Sequence, residues 1–191
     1  VYGAQTSPHR ESEPMRPETV RGALKAAAEM LVVQRARSQR VSAVVLRVFS
    51  AYGPWQQARR LVARAIEAAL RGVELPMTAA RSRRDFVFVD DVVDACLCAA
   101  VHGDGFGRRF NIGSCVETSP QEVVRAVSEL TERQVVISDD VFPGRPADRP
   151  HCAADCQRAE RDLGWRARTT LREGLASTIE WQRARQCGGP Q

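Results

Sequence analysis

The chain has 191 residues, 43% of them apolar and 27% charged, which fits one folded domain or slightly more and excludes disorder as the starting assumption. Its longest apolar stretch, Ala95 to Val101, is far shorter than the roughly 20 residues of a membrane-crossing helix. With no basic-then-apolar leader at the start, the expectation is a cytoplasmic protein that neither enters a membrane nor is secreted, and the net charge of +5 favours an anionic partner without choosing one.

Pro17 to about Ser38 reads as a helix, with Ala23, Ala26, Ala27, Met30, Leu31 and Val33 as its apolar stripe. Val41 to Phe49 follows as a β-branched run suited to a buried strand. After the loop Ser50 to Pro54, a second helix is predicted from about Ala58 to Arg71, closed by Gly72. Arg84 to Val89 alternates as a strand, and Asp90 or Asp91 is expected to cap a helix running to His102. Arg109 to Ile112 is a short strand. Ser119-Pro120-Gln121-Glu122 is a capping box, and Gln134 to Ser138 a further strand. The loop from Asp139 to Arg149 holds two prolines and a glycine. Two helices close the pattern: Asp155 to Leu163, stopped by Gly164, and one opened by the box Thr170-Leu171-Arg172-Glu173 and passing Trp181. The first eighteen residues and the last five are expected to be loosely held.

Three groups of side chains could carry chemistry. Arg83 and Arg84 stand with Asp85 at the mouth of a strand, where a planar guanidinium could grip a diphosphate through two parallel hydrogen bonds. The plainer reading is a solvated strand end. Arg145 sits in the loop Pro143 to Asp148, whose proline and glycine could present it to a ligand. Lys25 is the one lysine among 28 basic residues, so it stands where arginine was not simply interchangeable.

Metal is not expected. His151, Cys152 and Cys156, or Cys96 and Cys98, lack a second Cys-x-x-Cys or His-x-x-x-His pair. Cys96 and Cys98, two apart on a helix, point to different faces and read as core or near-core residues. The six cysteines are too dilute for a disulfide scaffold and are expected as free thiols. Nucleic acid is not expected either. No aromatics interleave with the arginine clusters at Arg35, Arg37 and Arg40 or at Arg59, Arg60 and Arg64, as a stacking platform would require.

Seven segments occur in one order: Val1-Tyr2-Gly3; Pro17 through Lys25-Ala26-Ala27-Ala28-Glu29; Leu46-Arg47 through Tyr52-Gly53-Pro54; Arg84 through Asp91; Phe110-Asn111-Ile112-Gly113; Asp155 through Leu163-Gly164-Trp165; and Glu173-Gly174-Leu175. Together they resemble the extended short-chain dehydrogenase/reductase family, specifically its NAD-dependent nucleotide-sugar epimerases and dehydratases. The resemblance implies an α/β fold, the C-terminal part of a Rossmann-like doubly wound sheet plus a smaller α/β substrate-binding lobe. Residues 1–56 would be a remnant of the NAD-binding domain, 57–185 the nucleotide-sugar lobe and 186–191 a tail. The glycine-rich turn that receives the NAD pyrophosphate is expected upstream, since Gly103 to Gly107 follows a helix and does not open one.

In the family a tyrosine stands four residues before a lysine. The lysine holds the nicotinamide ribose and lowers the tyrosine pKa, so that the phenol can act as base. Lys25 matches the lysine, but Arg21 holds the tyrosine's place, and a guanidinium that stays protonated cannot replace the phenol. By position Arg84 matches a diphosphate-binding arginine, and Arg145 with Asp148 matches the loop that closes over the nucleotide. Met77 to Ser82 departs from the family's glycine-containing turn.

The implied partner is a nucleoside-diphosphate sugar and the implied cofactor NAD, with a homodimer or a missing N-terminal half as further partners. Two functions stay open: a truncated epimerase/dehydratase homologue, or a degenerate protein that binds a nucleotide sugar or a partner without turnover.

Overall fold

The computed structural model describes residues 1–3, 8–77, 82–102, 105–138 and 151–187. In chain order its elements are α1 (Val20–Gln39), β1 (Ala43–Val48), β2 (Ser50–Tyr52), α2 (Leu61–Arg71), β3 (Leu75–Pro76), β4 (Arg84–Phe88), α3 (Val89–His102), β5 (Phe106–Ile112), β6 (Glu117–Thr118), α4 (Pro120–Thr131), β7 (Ile137–Ser138), α5 (Gln157–Leu163) and α6 (Leu171–Cys187). Strands alternate with helices and the pairs β1–β5, β2–β4 and β3–β7 are parallel, so the chain is α/β as expected. No helix among the described residues is long and apolar enough to cross a membrane.

The predicted strand Val41 to Phe49 changes sheets at its end. β1 pairs with β5 through Val48 opposite Ile112, and the Phe49 amide makes the last rung to the Ile112 carbonyl at 2.9 Å. From Ser50 the backbone turns to pair with β4, Ser50 opposite Phe86 and Tyr52 opposite Phe88. This switch carries the chain from one packing layer to another. Around β2 and β4, helices α2, α4 and α6 bury Ile66, Val123, Val127, Leu175 and the rings of Tyr52 and Phe88. Against β5, helices α3 and α5 bury Ala95, Phe110, Ile112, Leu163 and Trp165.

Several local expectations need correction. α1 starts at Val20, not at Pro17, because the Thr19 side chain accepts the Gly22 amide at 3.0 Å and sets the cap. Its inward face is Ala26, Glu29, Val33 and Ala36, whereas Met30 and Leu31 point outward, 59% and 72% exposed. Asp91 does not cap α3; its carboxylate accepts the amides of Arg168 and Thr169, both at 3.1 Å, and so pins the approach to α6. Nor are the described N-terminal residues loose. Tyr2, His9 and Glu11 are buried, and His9 pairs through its backbone with Ala153 and Asp155. Cys96 is exposed, while Cys98 packs partly against the core under β5.

Both capping boxes form. Ser119 and Glu122 exchange hydrogen bonds at the start of α4, as do Thr170 and Glu173 at the start of α6. Gly72 and Gly164 end their helices in the left-handed region, φ 67° and 64°.

Candidate functional site

One face of α1, with Arg21, Gly22, Lys25, Ala28 and Glu29 spaced three and four residues apart, lines a cavity of about 840 Å³, joined by Glu18 just before the helix. β1 and the start of β2 form the opposite wall, and residues 1–3, His9, Arg84 and Cys152 complete it. The helical period therefore brings Arg21 and Lys25 onto a single wall, and the start of β4 adds Arg84.

Beneath this wall lies a polar floor that the sequence alone did not reveal. The buried Glu29 carboxylate receives a two-pronged grip from Arg47, Nε to Oε2 at 2.8 Å and Nη2 to Oε1 at 2.6 Å. Arg109 approaches the same carboxylate, with Nε 2.7 Å from Oε1. Such a pair must be well hydrogen-bonded to offset its desolvation; both Glu29 oxygens are met by Arg47, whereas the buried Arg47 Nη1 has no hydrogen-bond partner among the described residues. The Arg47 guanidinium also lies 4.7 Å from the centre of the Tyr2 ring, which stacks on His9 at 4.8 Å. Tyr2 donates its hydroxyl to the Asn111 side-chain oxygen. Asn111, fully buried, in turn donates its amides to Glu11 Oε1 and to the His9 carbonyl, each at 2.8 Å. Burial pushes the Tyr2 phenol above its ordinary value, so it serves as a neutral donor. Tyr2, Glu29, Arg47 and Asn111 each fall in a segment that carries the family resemblance. That coincidence was the available signal.

The two arginines at the mouth of β4 part ways. Arg83 is taken up by the carbonyl of Glu117 at 2.8 Å and by Glu122, the capping-box carboxylate, at 3.0 Å, while Arg84 lines the cavity. Asp85 is fully buried and accepts four hydrogen bonds, from the Ser114 amide and hydroxyl (2.6 and 2.7 Å) and from the amides of Cys115 and Ala154 (both 3.0 Å). Burial pushes its carboxyl upward against those four donors. This hub fixes the backbone beside Arg84. Arg145, Asp148 and most of the Met77 to Ser82 turn lie outside the described residues. Among the described residues no three His, Cys, Asp or Glu are grouped as a metal site requires.

A family model described as GDP-mannose 4,6 dehydratase matches residues 1–178. The chain is 28% identical over 182 residues to dTDP-glucose 4,6-dehydratase of Haemophilus influenzae, covering 90% of this chain and 54% of that protein. It is 33% identical over 188 residues to UDP-glucose 4-epimerase of Mycolicibacterium smegmatis, covering 96% and 59%. Among solved structures, MoeE5 in complex with UDP-glucuronic acid and NAD superposes with a TM-score of 0.90 at 36% identity, covering 97% of this chain and 62% of that one. The chain spans little more than half the length of these curated relatives. It belongs to this family of nucleotide-sugar dehydratases and epimerases within the extended short-chain dehydrogenases/reductases, and the family's cofactor is NAD.

Proposed function

We propose that the chain is the sugar-nucleotide-holding part of an NAD-dependent epimerase or dehydratase relative, and that it binds a nucleoside-diphosphate sugar without a catalytic base of its own. The observation that carries this reading is the cavity wall, where Arg21, Lys25 and Arg84 meet. Arg21 holds the place of the family's tyrosine, and a guanidinium stays protonated at ordinary pH. It cannot accept a proton from a sugar hydroxyl. It adds only a fixed positive charge to that wall, whereas Arg84 is the planar donor we assign to the diphosphate.

When bound, NAD supplies hydride transfer in this family. Lys25 is the residue here that would hold its nicotinamide ribose. The described residues offer no glycine turn opening a helix for the pyrophosphate: Gly107 lies within β5 and is not at a helix start. The fit to NAD is thus partial, and no hydride step is assigned to this chain by itself. Arg145 and Asp148 are the residues we assign to closing over the nucleotide.

Calorimetric titration of uridine, thymidine, guanosine and cytidine diphosphate sugars tests the reading. Arg84→Ala and Arg145→Ala are expected to weaken binding by about ten- to a hundredfold each, the effect of losing a charge-assisted contact worth roughly 1.5 to 3 kcal/mol. Lys25→Ala is expected to weaken it much less. Equal losses in all three variants, or a loss confined to Lys25→Ala, would overturn the assignment. A second reading, partner binding, is favoured by a separate observation: Val20, Leu24 and Leu31 on α1 are 80%, 67% and 72% exposed.

A further inference from the structure

On its cavity side α1 carries two cations where its own geometry disfavours them. Arg21 lies in the first helical turn, which contains no acidic residue, at the end where the helix dipole is positive. Lys25 follows four residues later on the same face, and like charges at that spacing repel. Among the described residues neither side chain makes a hydrogen bond or an ion pair. Two carboxylates line the same wall, yet Glu29 is held by Arg47 and Arg109, and Glu18 pairs with neither Arg21 nor Lys25. The floor adds to the imbalance. There two guanidinium groups meet one carboxylate, and the Arg47 side chain, 6% exposed, lines the cavity with its Nη1 buried and unpartnered among the described residues.

This unanswered charge is set apart from the arginine assigned to the diphosphate. α1 packs on β1 and β5, whereas Arg84 opens β4 in the sheet that β4 forms with β2 and β6. The chain crosses between the two layers at Phe49 and Ser50, both of which line the cavity. Arg21 and Arg84 therefore face one space from different layers, and a ligand that answers both carries anionic groups at two places.

We propose that Arg21, at the N-terminal end of α1, selects nucleotide sugars whose sugar bears a carboxylate, the uronates. The proposal rests on the diphosphate-sugar reading above and narrows it. A uronate holds its diphosphate on C1 and its carboxylate on C5, the two carbons that flank the ring oxygen, so both anionic groups project from one ring. The planar carboxylate accepts two parallel hydrogen bonds from a guanidinium and complements the positive end of the helix. It replaces a neutral hydroxymethyl group of similar size, so the discrimination comes from charge and not from shape. Bound there, it offsets the repulsion that Arg21 and Lys25 bring to α1.

Glucuronate and glucose joined to the same nucleoside diphosphate differ only at C6. Paired calorimetric titrations of the 191-residue chain with both, across the four bases named above, provide the test. The uronate is expected to bind about three- to tenfold more tightly, as suits an exposed charge pair aided by a helix end. Arg21→Gln is expected to abolish that ratio and, by taking a cation out of the first turn, to raise the thermal unfolding midpoint. Arg84→Ala is expected to weaken both ligands and to keep the ratio. Equal affinities in the unsubstituted chain, tighter binding of the glucose form, or a preference that survives Arg21→Gln overturns the proposal and leaves diphosphate-sugar binding intact. Binding of neither form with any base overturns that reading as well. A lower unfolding midpoint for Arg21→Gln would show that the guanidinium stabilises the fold through a contact of its own and is not held for a ligand.

Discussion

Tyr2 and Tyr52 are the only two tyrosines of the chain, and burial raises both phenols above their ordinary value of 10. The fold prefers the neutral phenol. Its contribution to stability is therefore complete below pH 10 and is lost as pH rises through the higher folded-state values. In a spectrophotometric titration, phenolate absorbance is expected only above pH 10 for the native chain and near 10 for both tyrosines in denaturant; a native tyrosine ionising at 10 would contradict the packing described. The two phenols also differ from each other. Tyr2→Phe leaves the buried Asn111 side-chain oxygen without its donor, which costs about 1–3 kcal/mol. Tyr52→Phe gives up only a 3.3 Å bond to the Leu171 carbonyl and should cost less, a difference readable in urea unfolding midpoints. At this scale the sequence made Lys25, Arg21 and Arg84 visible because each occupies a motif position. It could not make the Glu29–Arg47 grip visible, because that contact joins a helix to a strand 18 residues later and neither segment's pattern names its partner.

Among the elements, α6 depends on a missing side chain. A Cβ on Gly174 would lie 2.2 Å from the Tyr52 hydroxyl and 2.8 Å from the Phe88 ring, so the helix can approach β2 and β4 only at a glycine. Gly174→Ala raises helix propensity by about 1 kcal/mol, yet overpacking of this kind typically costs about 1–3 kcal/mol. A net fall in Tm is expected, and a rise would show that α6 sits farther from Tyr52. Ser119→Ala tests α4 in the opposite sense, since it removes a cap and adds no bulk. The loss of the Glu122 amide's partner is expected to cost about 1 kcal/mol, read as a lower unfolding midpoint with unchanged slope. The capping boxes were legible because they are local in sequence, with all partners within four residues. The pairs β3–β7 and β4–β6 were not, because each contributes only two residues per strand and owes its existence to what lies opposite. Phe49 shows the same limit. Nothing in the run Val41 to Phe49 marks where it leaves β5 for β4.

At the scale of the whole molecule, apolar side chains face outward in two places that no described residue covers. On α1 Val20, Leu24 and Leu31 share one side, 80%, 67% and 72% exposed; on α3 Val93, Leu97 and Val101 recur every fourth residue, 50%, 60% and 76% exposed. The sequence showed these residues as apolar and helical, and it placed Leu31 on the inward stripe. Helical period alone does not say which side of a helix meets the core when both sides carry apolar residues. β1 compounds the exposure: among the described residues it pairs only with β5, which leaves its other edge open for hydrogen bonding. Apolar stripes beside an open strand edge favour association, so the chain is expected to self-associate with rising concentration in sedimentation velocity. The two stripes can be separated by charge. Leu24→Glu with Leu31→Glu should return the chain to monomer if α1 is the contact, whereas Leu97→Glu should do so if α3 is. Both variants add only exposed charge, so neither should disturb the cores around Ile66 or Phe110. A chain that stays monomeric without substitution, and binds no dye specific for apolar surface, would show that these stripes are too small to drive association.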